Sequence, residues 1–335
     1  MTVSLCVIAY NEEKVISQLL EYITAQDYPH NRMEIVLVDS ASTDNTKKIM
    51  EDFAAQNTEF IRVKVCDNPK KLQAAGWNVA IKASECDIIF RIDAHAMIPS
   101  DFVSKNVACI ESGEYVSGGM RPNIVDEDTP WKRTLLLAEK SMFGSSFASY
   151  RSGNKKQYVK SVFHGAYRRE VFEKAGLFNE NLGRTEDNEM HYRITEAGYK
   201  ICYSPDIISY QHTRGTFKSI VKQKYGNGYW IGLTVGVCPK CLSLFHFVPF
   251  CFVCALLLSL ILCFFGISLP LILLACAYGF ANILMSLASV ISEKEKSVLF
   301  IALPIIFLSL HLAYGIGTFW GLLKMPFWRK KYKNN

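Results

Sequence analysis

Two long stretches near the end of the chain carry no formal charge, and they constrain the fold more than any other feature. Residues 241–292 and 297–323 contain no Asp, Glu, Lys or Arg. A helix needs about 20 mostly apolar residues to cross about 30 Å of hydrocarbon. The pattern predicts three spans, over residues 242–266, 268–291 and 297–322. A wholly soluble protein is therefore excluded.

The first part of the chain alternates between strand-like and helix-like segments. Four apolar strands are predicted at residues 3–9, 34–38, 61–65 and 87–92, each followed by a helical pattern. Such alternation predicts an α/β fold with a doubly wound, mostly parallel sheet, in which ligands bind at the carboxyl ends of the strands. We therefore expect one sheet edge to be lined by the polar residues that follow these strands: Asn11, Asp39, Asp67 and Asp93.

The net charge of +6 is too small to make nucleic-acid binding the default function, and we expect no nucleic-acid partner. The basic residues between 324 and 333 follow the last apolar run, as in segments that rest on an anionic cytoplasmic leaflet. A merely solvated tail is the alternative. Residues 3–9 lack the basic flank of a secretory signal, so the N-terminal half is expected to stay in the cytoplasm.

The eleven cysteines include one spacing that resembles a zinc site, C-x2-C-x9-C-x2-C from Cys238 to Cys254. The second pair of this pattern lies inside an apolar run, where a thiolate cage would sit in hydrocarbon. We therefore expect free thiols that act as small buried hydrophobes in a reducing compartment.

Four motifs occur in order along the chain, each at the start or end of a predicted element. They are Ile8-Ala-Tyr-Asn-Glu12, Val38-Asp-Ser-Ala-Ser-Thr-Asp-Asn-Thr46, Asp93-Ala-His95 and Thr185-Glu-Asp187. Together they resemble the family 2 inverting glycosyltransferases, which have the GT-A fold. Within that family the chain is most similar to membrane-attached exopolysaccharide transferases of the succinoglycan type, with which residues 91–95 and 311–317 also agree.

The resemblance implies a nucleoside diphosphate sugar as donor. The implied donor-binding residues are Ala9, Tyr10, Asn11, Glu12, Asp39, Asn78 and Asp93. Asp39 and Glu12 offer the acceptors that a base and a ribose need, and we expect Ser42 and Asp44, rather than Asp39, to cap the next helix. Relatives place a basic donor motif near Lys71, Gln73 and Asn78, but this chain has Trp77 where many have Arg, which leaves a phosphate contact there open.

Asp93 and His95 flank one residue at a strand end, so both side chains should point to the same side and can share a divalent metal. The family usually has a second Asp at the position of His95. Mn2+ or Mg2+ is expected, and the imidazole favours Mn2+. His212 and Arg214 either approach the diphosphate, with His212 as a further metal ligand, or belong to a surface loop or contact a lipid headgroup. His164 either lines the acceptor pocket or is a core histidine.

An inverting transfer needs a general base that takes a proton from the acceptor hydroxyl. By resemblance Asp187 is that base, and Glu186 orients its neighbours or the acceptor. The alternative is that both acidic residues merely favour a helix N-terminus through its dipole. A Gln-x-x-Arg-Trp motif of processive synthases is not matched at residues 223–230, which favours addition of a single sugar. The absence of a glycine-rich loop after the first strand disfavours a dinucleotide enzyme.

These inferences predict a metal-dependent, inverting glycosyltransferase at the inner membrane, with its catalytic domain on the cytoplasmic side. The acceptor is expected to be a polyprenyl-diphosphate-linked glycan for surface or exopolysaccharide assembly, and polyprenyl phosphate itself is the alternative. The predicted parts are a GT-A domain (1–215), an amphipathic interfacial segment (216–240), a membrane domain (241–323) and a basic tail (324–335).

The side of the C-terminus is open between two arguments. Three crossings from a cytoplasmic domain would place it outside, whereas the basic tail favours the inside. The third apolar segment contains Pro304 and three glycines, and the alternatives are that it breaks, lies at the interface or packs against the first two. We expect a cytoplasmic C-terminus with a re-entrant or strongly tilted third segment, against a third full crossing.

Overall fold

The computed structural model describes residues 1–144, 155–213, 215–293 and 296–333. The chain divides into two compact units, Met1–Pro122 with Ala148–Gln211, and Asn123–Phe147 with His212–Asn335. The first unit holds the large sheet, and the second is helical. Arg214, predicted to approach a diphosphate, lies outside the described residues.

The elements follow the predicted alternation and then give way to helices. The strands are β1 (Val3–Ala9), β2 (Met33–Asp39), β3 (Arg62–Asp67), β4 (Ile88–Asp93), β5 (Ala96–Met97), β6 (Val116–Met120), β7 (Asn123–Ile124), β8 (Gln157–Val159), β9 (Gly165–Arg168), β10 (Ile201–Ile208) and β11 (Tyr210–His212). The helices are α1 (Ile16–Thr24), α2 (Thr46–Gln56), α3 (Gln73–Ala83), α4 (Phe102–Glu111), α5 (Pro130–Lys140), α6 (Arg169–Ala175), α7 (Glu186–Glu196), α8 (Phe217–Thr234), α9 (Val248–Phe264), α10 (Leu269–Ser292) and α11 (Leu303–Lys333).

The first unit is built on an eight-stranded sheet of order β3-β2-β1-β4-β9-β6-β10-β8. Strands β1 to β4 are parallel, whereas β9 runs antiparallel to both β4 and β6. Alternate residues of β1 enter two separate cores: Leu5 and Val7 pack with α1 and α4, and Cys6 packs with α3 and α7. Strands covered on both faces are mostly apolar for this reason, and the buried exceptions Ser4 on β1 and Glu34 on β2 hydrogen-bond to each other. The predicted mostly parallel, doubly wound sheet is confirmed.

The register of the parallel strands brings their carboxyl ends to one edge. Ala9 pairs with Asp39, and Asp39 pairs with Asp67, while Ile8 pairs with Asp93 on the other side of β1. The polar residues predicted at this edge therefore lie on neighbouring strands at the same level. This edge is where the candidate site is formed.

The second unit contains the three predicted apolar helices. Leu244–Phe264, Leu269–Ser292 and Val298–Lys330 are each long and apolar enough to cross a membrane, and the third is more buried by protein than the first two. It is helical without interruption from Leu303 to Lys333. The alternative in which this segment breaks is therefore wrong.

Helices α8 and α11 pack so closely that several positions at their contact have no room for a side chain and are glycine. A Cβ atom on Gly228 would lie 2.0 Å from the carbonyl oxygen of Tyr314, and one on Gly321 would lie 2.1 Å from that of Tyr229. Small residues four apart permit such contact in membrane helices. The expected interfacial position of this segment stays a prediction, and its packing against α11 is a feature that its basic and aromatic composition did not indicate.

The motif at residues 311–317 is explained by contacts inside this unit. His311 Nε2 donates to the carbonyl oxygen of Phe143 at 2.6 Å, so its Nδ1 accepts from the hydroxyl of Tyr278 at 2.9 Å. A Cβ on Gly315 would lie 2.3 Å from the carbonyl oxygen of Pro249 on α9. The motif therefore joins α11 to its neighbours.

Candidate active site

Each of the first three parallel strands is followed by a residue in the left-handed backbone region. The φ angles are 55° at Asn11, 57° at Ala41 and 58° at Lys71. Such conformations are uncommon for residues other than glycine and cluster at functional sites. All three occur in loops after the carboxyl edge of the sheet, which supports the predicted position of the site.

The loops after β1 and β2 are held together by hydrogen bonds. The backbone N–H of Asn11 donates to Ser42 Oγ at 3.0 Å, and the N–H of Thr43 donates to Asn11 Oδ1 at 2.8 Å. Asp44 Oδ1 accepts the N–H of Thr46 at 3.0 Å, at the start of α2. Asp44 therefore binds the first N–H of α2, although the N-cap position itself is Asn45, whose side chain makes no capping bond. The prediction that Ser42 caps the helix is wrong, because its hydroxyl accepts from the N–H of Asn11 instead.

Asp39 lies at the end of β2 and is only 2% exposed. Its carboxylate accepts the N–H of Ser42 at 3.3 and 3.2 Å, which are long distances for such bonds. A carboxylate has about four acceptor positions. Asp39 therefore retains acceptor capacity, and its contact with the donor stays a prediction.

Among the other predicted donor contacts, Tyr10 is half-exposed, with the amine of Lys71 5.7 Å from its ring centre. Asn78 is different, because its amide is occupied within the protein. Its Nδ2 donates to the carbonyl oxygen of Phe178 at 2.9 Å and to Glu180 Oε1 at 3.0 Å, and its Oδ1 accepts the N–H of Phe178 at 2.8 Å. Asn78 fits a structural link better than the predicted donor contact.

Asp93, at the end of β4, is mostly buried and lies beside His164. The distance from His164 Nε2 to Asp93 Oδ2 is 3.8 Å, and His164 Nδ1 is 2.9 Å from Ser209 Oγ. Burial alone would raise the pKa of Asp93, but His164, with His95 and Arg91, holds it well below its usual range. Asp93 is therefore an ionised carboxylate at neutral pH. His164 is buried behind it, as a core histidine.

His95 lies against Glu12, with 3.3 Å between Nδ1 and Glu12 Oε1. His212 forms an ion pair with Asp126 in the second unit. Among the described residues, no group of three or more His, Cys, Asp or Glu side chains is arranged to hold a metal. Ligation of one metal by Asp93, His95 and His212 stays a prediction.

The acidic pair begins α7, where Glu186 is 3% exposed. Glu186 Oε2 is buried without a hydrogen-bond partner in the described part of the chain, while Asp187 is half-buried. Burial and the neighbouring charge of Asp187 raise the pKa of Glu186 to about 8, and burial also raises the pKa of Asp187. Two such carboxyls hold a proton between them near neutral pH. One acid and one base can thus coexist at this position.

Arg91 lies on β4, at the start of the stretch 91–95 that agrees with the family, and its sequence context indicates no role for it. Its guanidinium carbon lies 4.7 Å from the ring centres of both Trp77 and Phe178. Trp77 is fully buried in this stack, so it makes no phosphate contact. The available signal was a single cation within the apolar strand Ile88-Ile-Phe-Arg-Ile-Asp93.

The parallel sheet, its polar carboxyl edge and the acidic helix start define a glycosyltransferase fold. Residues 4–176 match the family model described as Glycosyl transferase family 2. This match spans more than half of the chain, and the protein belongs to that family.

Two relatives carry the similarity beyond the matched domain. The chain is 26% identical over 329 residues to the dolichyl N-acetyl-α-D-glucosaminyl phosphate 3-β-D-2,3-diacetamido-2,3-dideoxy-β-D-glucuronosyltransferase of Methanococcus voltae, covering 96% of this chain and 97% of the relative. It is 29% identical over 234 residues to the succinoglycan biosynthesis protein ExoA of Rhizobium meliloti, covering 68% of each. The predicted similarity to transferases of the succinoglycan type is confirmed.

A solved structure supports the fold. The mannosyltransferase PcManGT from Pyrobaculum calidifontis, in complex with GDP-Man and Mn2+, matches with a TM-score of 0.62 and 18% identity, covering 95% of this chain and 87% of the other. At this identity the comparison bears on the fold alone, and the predicted GT-A fold is confirmed.

Proposed function

We propose that the protein transfers a single sugar, with inversion, from a nucleoside diphosphate sugar to a polyprenyl-linked acceptor at the cytoplasmic face of the inner membrane. The donor is proposed to be UDP-linked, and the acceptor a polyprenyl-diphosphate-linked glycan for surface polysaccharide assembly. The observation that supports the proposal is geometric: parallel register sets Asp39 and Asp93 at one carboxyl edge of the sheet, and the pair Glu186-Asp187 begins α7 in the same unit. In this proposal the edge carboxylates and the acidic pair form one site.

In this proposal Asp187 takes the proton from the acceptor hydroxyl as the sugar is transferred. A carboxylate with a raised pKa is a stronger base than an ordinary surface carboxylate. Glu186 holds the single proton of the pair, which avoids two adjacent negative charges and leaves a neutral O–H that can orient the acceptor. Asp39 and the backbone from Ala9 to Glu12 bind the nucleoside, as the resemblance implies.

The residues present fit a divalent cation whose remaining ligands come from the substrate. Asp93 offers an ionised, mostly buried carboxylate, and Mg2+ or Mn2+ commonly binds through one or two carboxylates together with phosphate oxygens. Asp93 and His95 would hold the ion. When bound, it would neutralise charge on the leaving diphosphate.

Membrane attachment suits an apolar acceptor carrier. The second unit supplies three helices long enough to cross a bilayer. An acceptor hydroxyl held just above the headgroups meets an anchored enzyme without a three-dimensional search. The name of the Methanococcus relative specifies an acceptor sugar joined to dolichol through one phosphate. A polyprenyl-monophosphate-linked sugar is therefore the second candidate acceptor here.

Asp187→Asn tests the base, since it preserves shape and removes basicity. We expect donor binding to survive while transfer of labelled sugar falls by about 100-fold or more. Glu189→Gln, on the same helix and paired with Arg193 away from the reaction, is the matched control and should retain transfer. Loss of donor binding in Asp187→Asn, or undiminished transfer, would contradict the assignment.

The acceptor is tested by supplying membranes with defined polyprenyl carriers and labelled nucleotide sugars. Label on a diphosphate-linked glycan supports the first candidate, and label on a monophosphate-linked sugar supports the second. Label on polyprenyl monophosphate alone would contradict both.

A further inference from the structure

The site contains a buried cation for which the reaction as proposed has no use. Arg91 is 6% exposed, and its Nε and Nη1 atoms have no hydrogen-bond acceptor among the described residues. Its guanidinium lies between two aromatic rings, those of Trp77 and Phe178. The side chain therefore enters the core on the α3 and α7 side of the sheet, which is built mainly from hydrophobic residues.

Keeping a charge in such a place costs free energy. Removing a guanidinium from water is expensive unless hydrogen bonds and opposite charges compensate, and the two aromatic rings compensate only in part, through cation–π attraction. A methionine of similar length would fill the same space without that cost. Packing alone therefore does not explain Arg91.

Arg91 lies on the side of the sheet that α7 covers. The rings of Trp77 and Phe178 that hold its guanidinium pack in one core with Met190 and Ile194 of α7, the helix that begins with Glu186 and Asp187. The charges of the Tyr167 phenol, Asp187, Glu186 and Asp93 act on the guanidinium. His191, also on α7, is uncharged there, because burial and the charge of Arg91 lower its pKa to about 3. Arg91 is the cation that all three carboxyls share.

We propose that Arg91 is a positioning residue that keeps Asp187 ionised as the general base while Glu186 holds the proton of the pair. The proposal rests on the proposed role of Asp187. A fixed positive charge beneath two neighbouring carboxyls stabilises the state with one negative charge over the state with none. Trp77 and Phe178 hold the guanidinium in place without neutralising it, so its full charge acts on the carboxyls.

The test is the pH profile of transfer in Arg91→Met, a neutral variant of similar length. Transfer activity falls as the pH is lowered, because Asp187 becomes protonated; we call this part of the pH profile the acid limb. Without Arg91 the acid limb should move to higher pH by about one unit or more. Arg91→Lys keeps the charge and should leave the limb close to that of the native enzyme. Donor binding should persist in both variants, because Arg91 acts beneath the acidic pair.

Arg168→Met is the matched control. Arg168 donates to the carbonyl oxygens of Glu114 and Ile110 at 3.1 and 2.9 Å, and its guanidinium carbon lies 5.4 Å from the ring centre of Tyr115. It is a second arginine stacked on an aromatic ring, and its bonds are structural. Its loss should reduce stability and leave the acid limb in place. If Arg91→Met fails to fold, Arg91→Gln replaces it.

A second readout does not depend on transfer. The infrared band of the protonated Glu186 carboxyl is obtained by subtracting the spectrum of the protein with Glu186→Gln from that of the protein without it. This band should persist to higher pH in Arg91→Met than in the native protein. A limb and a band that both coincide with those of the native protein would overturn the proposal. If the band moves while Asp187→Asn still transfers sugar, Arg91 controls the pair and the assignment of the base fails instead.

Discussion

Glu186 provides a stability test that needs neither donor nor acceptor. Its pKa is raised by burial and by Asp187 from an ordinary 4.5 to about 8. Because the folded state favours the protonated form, the contribution of this group is fully present below pH 4.5 and is lost as the pH rises towards 8. In Glu186→Gln the side chain is neutral at every pH, so the variant should not lose this stability as the pH rises.

The size of the effect follows from the two pKa values. Relative to acid conditions, the native protein should lose about 1 kcal/mol at pH 5 and about 3 kcal/mol at pH 7 through this group. For a unit of this size, 1 kcal/mol corresponds to about 2–4 °C in Tm, so the loss at pH 7 is about 6–12 °C. A constant penalty for burying the new amide adds to the variant at all pH values and leaves the slope unchanged.

The assay is thermal unfolding of the purified protein in detergent or lipid discs from about pH 5 to pH 8, with the difference in Tm between Glu186→Gln and native protein as the readout. This difference should move in favour of the variant as the pH rises. Glu51→Gln, at an exposed position of α2, is the control, and its difference in Tm from the native protein should not change with pH. A difference that stays constant with pH would show that Glu186 is ionised in the folded state and would refute the reasoning.

Three other predictions concern the metal, the helix pair and the C-terminus. EDTA should abolish transfer by the native enzyme, with recovery on adding Mn2+ or Mg2+, and Asp93→Ala should be inactive with either ion; full activity in EDTA would reject the metal role. Gly321→Leu should prevent α8 and α11 from packing and should lower Tm, because its Cβ would lie 2.1 Å from the Tyr229 carbonyl oxygen. Gly279→Leu on α10 is the control and should be tolerated, because a Cβ at that position has nothing within 4 Å. Equal changes in Tm for the two variants would contradict this packing. A label on the C-terminus of intact cells should react only from inside, and reaction from outside would show that the basic tail does not set the topology.

The sheet and the spans were predictable because each depends on a local pattern. Strands β1 and β2 are apolar at every position that enters either core, and their ends at Ala9 and Asp39 follow from the change to polar residues. The three apolar helices follow from charge-free length alone. Parallel register then places Asp39 and Asp93 at one edge without further information.

The failures were at contacts between residues far apart in sequence. Nothing near Ser42 indicates that its hydroxyl accepts from Asn11, and nothing near Asn78 indicates that its amide binds the Phe178 backbone. The role of Arg91 depends on α7 and β9, both distant along the chain, closing around its strand. Local patterns predict elements, whereas the partners of a polar group depend on which elements meet.

The close packing of α8 against α11 also sets an order for synthesis of the chain. Gly228 emerges before both helices of the α9–α10 hairpin, and Gly317 only after them. At about 5–20 residues per second the wait between partners is on the order of ten seconds. During that time the glycine face of α8 lacks the helix against which it packs, whereas α9 and α10 are already complete. Helix α11 then completes the bundle by docking on α8 and α9 together, so a nascent chain that stops before α11 should be cleared by quality-control proteases.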